Sequence, residues 1–371
     1  MSHRIRFCFF AHSWISDWNH GNAHFLRGLV RELARQGHEV RCYEEAGSWS
    51  MTNLKKEGDI GERAIEQFHH EFPELDVRFY RRNSTLYDLL AEELRQADVV
   101  VVHEWTEPEV ADCIASLKQR YGFRALFHDT HHRAYTNPSE IRRFRLNSFD
   151  GVLAFGERLS QIYRSRFGVR NVWTFHEAAD LSHFRPLPEA PEADLLWIGN
   201  WADDERTEEL EQFFLFPVAE LRNCKTLAYG VRYPEQGLRA MAAAGIEYRG
   251  YLPSLMAPEA YGRSVLSLHV PRRQYSNGLS GIPTIRVFEA LACGATLVCA
   301  PWSDVEGLFR PGEDYAVVNS GAEMRAEIAR LLRDPTARRQ IGAHGRQTIL
   351  ARHTCAHRAR QLTGICEELY R

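Results

Sequence analysis

The sequence predicts an α/β protein of two domains, each built on a doubly wound parallel sheet with helices over both faces. Short apolar runs alternate with helical patterns along most of the 371 residues, and strands that alternate with helices form parallel sheets. Some runs are apolar without interruption, Val99–Val100–Val101–Val102 most plainly, as strands covered on both faces require. The chain is also too long for one ordinary core.

The first series of runs is Ile5–Phe10, Glu39–Tyr43, Asp98–His103, Ala125–Phe127, Gly151–Phe155 and Asn171–Thr174. Residues 184–194 then read FRPLPEAPEAD, with prolines at 186, 188 and 191. That stretch cannot donate regular ladder bonds and marks a linker. A second series follows: Leu195–Gly199, Thr226–Gly230, Val265–Val270, Thr296–Ala300 and Tyr315–Val318. From Ala322 the pattern is helical to the end. The expected organisation is a first domain over 1–180, a second over 181–345, and a terminal helical segment, 346–371, packing back toward the first.

Composition narrows the class. With 44% hydrophobic and 26% charged residues and a formal net charge of -3, the balance is that of an average soluble protein and argues against general nucleic-acid binding. The apolar run near the N-terminus is too short for a signal peptide or a membrane span. Eight scattered cysteines without a CxxC pair read as reduced thiols of a cytoplasmic protein and disfavour structural zinc. Arg142, Arg143, Arg145, Arg164 and Arg166 read as a solvated basic face, with an acidic acceptor or a membrane surface as the alternative.

Two segments carry the chemistry. After the first strand, Phe25, Leu26, Leu29, Val30 and Leu33 share one helical face. The helix should begin near Asn22, just past Gly21, and end at Gly37. A strand, a loop and a helix N-terminus present free N–H groups to an anion; a connection needed only for packing reads equally well, and the loop has no GxGxxG. The second segment is NGLSGIPTIRVFEALACGATLVCAP, residues 277–301. Ile285, Val287, Phe288, Leu291 and Ala292 form a buried stripe, Pro283 suits a helix start, and Arg286 and Glu289 stand three apart near the first turns.

RVFEALACGATLVCAP followed by EGLFRPGEDY resembles the glycosyltransferases of the GT-B fold, in which two Rossmann-like domains face a cleft. The closest resemblance is to the CgeB-like (spore-maturation-protein-like) group, with its glycosyltransferase-one-type C-terminal domain. GHEV after the first helix, FHEAADLSHFRP before the linker and the closing ARHTCAHR extend it more loosely. It implies a metal-independent, hexosyltransferase-like enzyme without a cofactor, moving a sugar from a nucleotide-diphosphate donor to an unidentified acceptor hydroxyl on a glycan, protein or small molecule.

The implied roles are specific. Glu289 matches the carboxylate that accepts from the donor's ribose hydroxyls; Thr284 and Ile285 match the N–H groups that hold the diphosphate, with Arg286 adding charge. The turn Gly199–Asn200 lies beside the diphosphate in similar enzymes and Arg206 matches a phosphate contact; the other reading is an exposed arginine paired with Asp203 or Glu209. Arg232 ranks lower. Gly250–Tyr251–Leu252 resembles the loop that meets the base, with Tyr251 offering a ring. In one departure, Gly281 replaces the first glutamate of an E-x7-E pair, which leaves hexose recognition and the stereochemical outcome open.

On the acceptor side, His103–Glu104 and the run Phe127–Arg133 follow strands, at the carboxyl ends where ligands sit in open sheets. His128 matches a histidine near the transferred sugar. An inverting enzyme needs a general base, for which Asp129, His12 or Asp17 stand available; a retaining one needs none. His12, Gly21 and Asn22 form the acceptor or phosphate loop. A metal would suit this His/Asp cluster, but consecutive side chains diverge, so no metal site is expected. A nucleotide-sugar epimerase or hydrolase, or a non-catalytic nucleotide-sugar-binding protein, are the rival readings.

Overall fold

The computed structural model describes residues 4–202 and 206–371. Asp203, Asp204 and Glu205 lie outside them. The chain divides into two compact units, one of residues 1–177 with 355–371 and one of residues 178–354.

The first unit carries seven strands: β1 (Arg6–Phe10), β2 (Glu39–Glu45), β3 (Val77–Tyr80), β4 (Val99–His103), β5 (Arg124–Asp129), β6 (Gly151–Ala154) and β7 (Val172–Thr174). They lie in the order β3-β2-β1-β4-β5-β6-β7, parallel throughout. β4 is buried along its whole length, which is why its valines need no polar alternation. The helix Ala23–Arg35 buries Phe25, Leu26, Leu29, Val30 and Leu33, and Gly37 past its end takes a φ of 90°, open to glycine at little cost.

The C-terminal helix Cys355–Leu369 belongs to this unit. Arg358 donates through Nε to the His176 carbonyl at 2.8 Å, Gln361 to the Thr174 carbonyl at 2.8 Å, and the Trp173 indole N–H to Glu368 at 3.0 Å.

The second unit holds β8 (Ala193–Ile198), β9 (Thr226–Tyr229), β10 (Ile246–Tyr248), β11 (Ser264–His269), β12 (Leu297–Cys299) and β13 (Ala316–Val317). Their order is β10-β9-β8-β11-β12-β13, again parallel. Leu195, Trp197, Phe214, Leu266, Leu268 and Val298 share one core.

Two strands were not among the expected runs, β3 and β10. Each is a sheet edge, where one side faces no partner strand and the apolar signal is weak. The helix Thr207–Leu210 passes into a π turn at Glu211–Leu215.

Both sheets reverse direction of growth at one place: between β1 and β4 in the first unit, between β8 and β11 in the second. Such a switch point leaves a crevice outside the carboxyl ends of its two strands. Among the described residues no helix is long and apolar enough to cross a membrane.

Candidate functional site

In the second unit the loops after β8, β9, β10 and β11 meet at the switch point. Gly199 donates to the Tyr229 carbonyl at 2.9 Å and accepts from the Tyr233 hydroxyl at 2.7 Å. Gly230 packs so closely on it that a β-carbon there would lie 2.0 Å from the Gly199 oxygen. Only glycine fits. The Asn200 side chain accepts from the Val231 N–H at 2.9 Å, so the turn after β8 is fixed by the turn after β9.

Arg206 is buried against this turn, 8% exposed. It donates to the carbonyls of Asn200, at 3.1 Å, and of Val270, with its guanidinium 5.0 Å from the Trp197 ring centroid. Burial excludes the exposed arginine that the sequence also allowed; Glu209 pairs with Arg273 at 2.9 Å, and Asp203 lies outside the described residues. Arg232 is exposed, at a left-handed φ of 60°. The Tyr251 ring is buried, which leaves the main chain, not the ring, as what that loop offers a ligand.

The helix Ile285–Ala292 begins at the same edge. Thr284 is its N-cap residue but does not cap it through its side chain; the Thr284 hydroxyl instead bonds Nε2 of His269 at 2.9 Å. The first N–H groups of a helix have no acceptor within it. Burial, then the charge of Arg206, pushes the His269 pKa down to about 3, so its ring is neutral. Every residue of the helix but Arg286 is buried, and Glu289 has no exposed surface. Its Oε2 accepts from Arg286 at 2.5 Å and from the Tyr261 hydroxyl at 3.3 Å. Glu289 is thus no solvated helix glutamate.

Gly281 has a φ of 92°, and a β-carbon there would lie 2.6 Å from Val305 Cγ2 and 3.1 Å from Glu306 Cγ. A glutamate at this position would be strained and would collide with both. The left-handed backbone here disfavours the first glutamate of an E-x7-E pair.

In the first unit the corresponding edge is lined with imidazoles. The rings of His12 and His20 stand 4.0 Å apart, and those of His103 and His128 5.5 Å. His103 is held on both nitrogens, Nδ1 accepting from the Trp105 N–H at 3.4 Å and Nε2 bonding the Thr130 hydroxyl at 3.1 Å, with the Glu104 carboxyl 3.0 Å from Nδ1. Thr130 in turn donates to Glu104 at 3.1 Å and accepts from the Asn22 amide at 2.5 Å. Asn22 stands just before the first helix, next to Gly21, so its side chain ties the helix start to β5 instead of capping it.

His128 lies between the Phe25 and Phe175 rings, at 6.2 and 5.6 Å. Its Nε2 is buried with no hydrogen-bond partner among the described residues. Burial lowers the pKa of His12 to about 4 and of His128 to about 3, and pushes His20 and His103 well below the usual range. Asp129 is enclosed, one oxygen taking the Tyr163 hydroxyl at 2.5 Å and the other the His131 N–H at 2.9 Å. Its pKa rises to about 6, chiefly through burial. Burial and then the Asp129 charge raise that of Glu104 well above the carboxylate range. Asp17 is paired with buried Arg27 at 3.5 Å.

Sequence reasoning missed three groups here. Glu44, buried near the end of β2, accepts from the N–H groups of Trp14 and Ile15 at 2.6 and 3.1 Å and so shapes the loop after β1. Tyr163 holds Asp129. Trp105, just past β4, lies beside His12 with Arg133 stacked 3.7 Å from its centroid. A carboxylate inside a strand run was the one available signal for Glu44; the others come from distant segments. Among the described residues no group of three or more His, Cys, Asp or Glu side chains is arranged to hold a metal ion.

Comparison with known proteins agrees with this architecture. Residues 206–364 match a family described as glycosyl transferase-like, and residues 19–183 match glycosyltransferase family 4. Each unit thus carries a glycosyltransferase-type match, and the fold is that of the GT-B glycosyltransferases. Sucrose-phosphate synthase from Thermosynechococcus elongatus superimposes with a TM-score of 0.69 at 13% identity, covering 99% of each chain. Anabaena HepE in complex with UDP-glucose gives 0.71 at 12% identity, over 98% of this chain and 100% of that one. An alpha-glucosyltransferase in complex with UDP gives 0.68 at 12%, with the same coverage. No match was found among curated proteins.

Proposed function

We propose that the second unit binds a nucleoside diphosphate sugar at its β8/β11 switch point and that the first receives the acceptor hydroxyl. The observation that carries this reading is the start of the Ile285–Ala292 helix, where an N-terminus without a side-chain cap, Arg286 and buried Glu289 share the first turns. The N–H groups and helix dipole suit a diphosphate. Glu289 suits a ribose diol, which would take over the oxygen that Arg286 and Tyr261 now share. Arg206 and Arg286 neutralise charge as the diphosphate leaves. That charge pattern supports metal-independent transfer, with the sugar nucleotide as substrate and no cofactor.

His128, buried beside His103, acts as a neutral wall near the transferred sugar. Asp129 is a positioning residue: both its oxygens are engaged. If the enzyme inverts, His12 is the better-placed base, since Asp17 is committed to Arg27. The sequence motifs favour the CgeB-like group and a cytoplasmic setting.

Incubation with UDP-, GDP- and ADP-sugars and a mixed acceptor pool, with and without EDTA, tests the reading. Glycosylated product unaffected by EDTA is expected. Sugar released or epimerised without acceptor favours the hydrolase or epimerase reading, and binding without turnover the non-catalytic one.

A further inference from the structure

We propose that Trp105 is the platform on which the acceptor stacks and that the acceptor is a saccharide. Trp105 follows β4, one of the two strands that flank the switch point of the first unit. It is 42% exposed, whereas the tryptophans at 14, 18, 197, 201 and 302 are buried. Nothing in the packing of the core requires a large ring here.

Its surroundings select the ligand. Arg133 stacks 3.7 Å from the ring centroid and is anchored by the Glu104 carbonyl and by Glu140 at 3.1 Å. The His131 ring meets Trp105 edge-on at 5.2 Å, and His12 stands 6.3 Å away. Trp105 is therefore a rigid plate with a polar margin. Beside the plate, His12 carries a buried ring nitrogen that has no partner among the described residues. Its lowered pKa keeps it neutral, and a neutral imidazole nitrogen exchanges hydrogen bonds with hydroxyls without demanding a counter-charge.

An apolar plate edged by uncharged hydrogen-bonding groups fits a molecule with a C–H face and a rim of hydroxyls, which is a sugar ring. A nucleic acid would also stack, but it needs free cations along its backbone. Arg133 is already paired, and the chain carries a net charge of -3. The sugar reading is favoured on that ground.

The inference rests on the proposed assignment of the donor to the second unit, and the test separates the two. Saturation-transfer NMR would be recorded with maltose, cellobiose and methyl α-glucoside, and with oligothymidylate, on the full chain and on Trp105→Ala and Trp105→Phe. UDP affinity would be measured on the same samples. At least one saccharide is expected to bind, with affinity about tenfold lower in Trp105→Ala, the scale of one lost aromatic contact, and largely kept in Trp105→Phe. UDP affinity should be unchanged in both, and far-UV circular dichroism with a single melting transition near that of the wild type reports that the first unit of each variant folds. Saccharide binding indifferent to Trp105→Ala, no saccharide binding at millimolar concentration, or oligothymidylate binding that depends on Trp105 would each overturn the proposal. Trp105-dependent saccharide binding without UDP binding would sink the donor assignment and leave this one standing.

Discussion

Gly281 and Glu289, eight residues apart, show how one backbone position limits what its neighbour can do. Glu289 is enclosed with Arg286 and Tyr261, which give the buried carboxylate hydrogen-bond donors in a place where water would otherwise be needed. Gly281 cannot carry a partner carboxylate, because its φ of 92° and the 2.6 Å approach of Val305 leave no room. Gly281→Ala should lower stability by about 1–3 kcal/mol, read as a shift in urea midpoint with an unchanged slope. A neutral substitution would mean that the turn relaxes freely. Glu44→Ala should cost about 1–3 kcal/mol as well, since it leaves the Trp14 and Ile15 N–H groups buried without their acceptor. Retained stability in the same urea titration would show that water replaces the carboxylate.

At the level of elements, strands covered on both faces were legible, as were the edges β7 and β13, while the edges β3 and β10 were not. β1, β4, β5, β6 and β8 are apolar runs because each is buried by helices and neighbours. β3 and β10 hold three or four residues at the sheet margins, where half-exposed side chains erase the pattern. The helix starting after Thr284 was legible from the Pro283 signal and the buried stripe. What its first turn touches was not: His269 reaches Thr284 from another strand, and no local spacing encodes that meeting. The same holds for Trp105 with Arg133, 28 positions apart in sequence, and for Tyr163 on Asp129. Tyr163→Phe should free one Asp129 oxygen in a buried place. Because the Tyr163 hydrogen bond holds the Asp129 pKa down against burial, the variant's Asp129 should titrate above its present value near 6, as followed by carboxyl NMR. An unchanged titration would mean that the hydroxyl does not govern it.

For the molecule as a whole, buried imidazoles set the response to acid. His12, His20, His103, His128 and His269 all have folded pKa values below the ordinary 6.5. As pH falls below about 6.5 the unfolded chain takes up protons that the folded one refuses, so stability drops until the folded values, near 4 and 3, are passed. Asp129, raised to about 6, and Glu104 work the other way, because the folded state holds their protons between those values and the unfolded ones near 4. With His38, also lowered by burial, and Glu44, also raised by it, six imidazoles stand against three carboxyls and outweigh them. The melting temperature should therefore fall steadily from about pH 6.5 to pH 4, and a flat profile would show that the rings are solvated or paired in solution.

The central claim is that the Ile285–Ala292 helix holds a nucleoside diphosphate. Calorimetric titration of UDP into the wild-type chain and into Glu289→Gln, well below either melting temperature, addresses it directly. Saturable binding that weakens about tenfold or more in Glu289→Gln is predicted, the scale of a charge-assisted hydrogen bond to ribose. Equal affinity in the two proteins would contradict it.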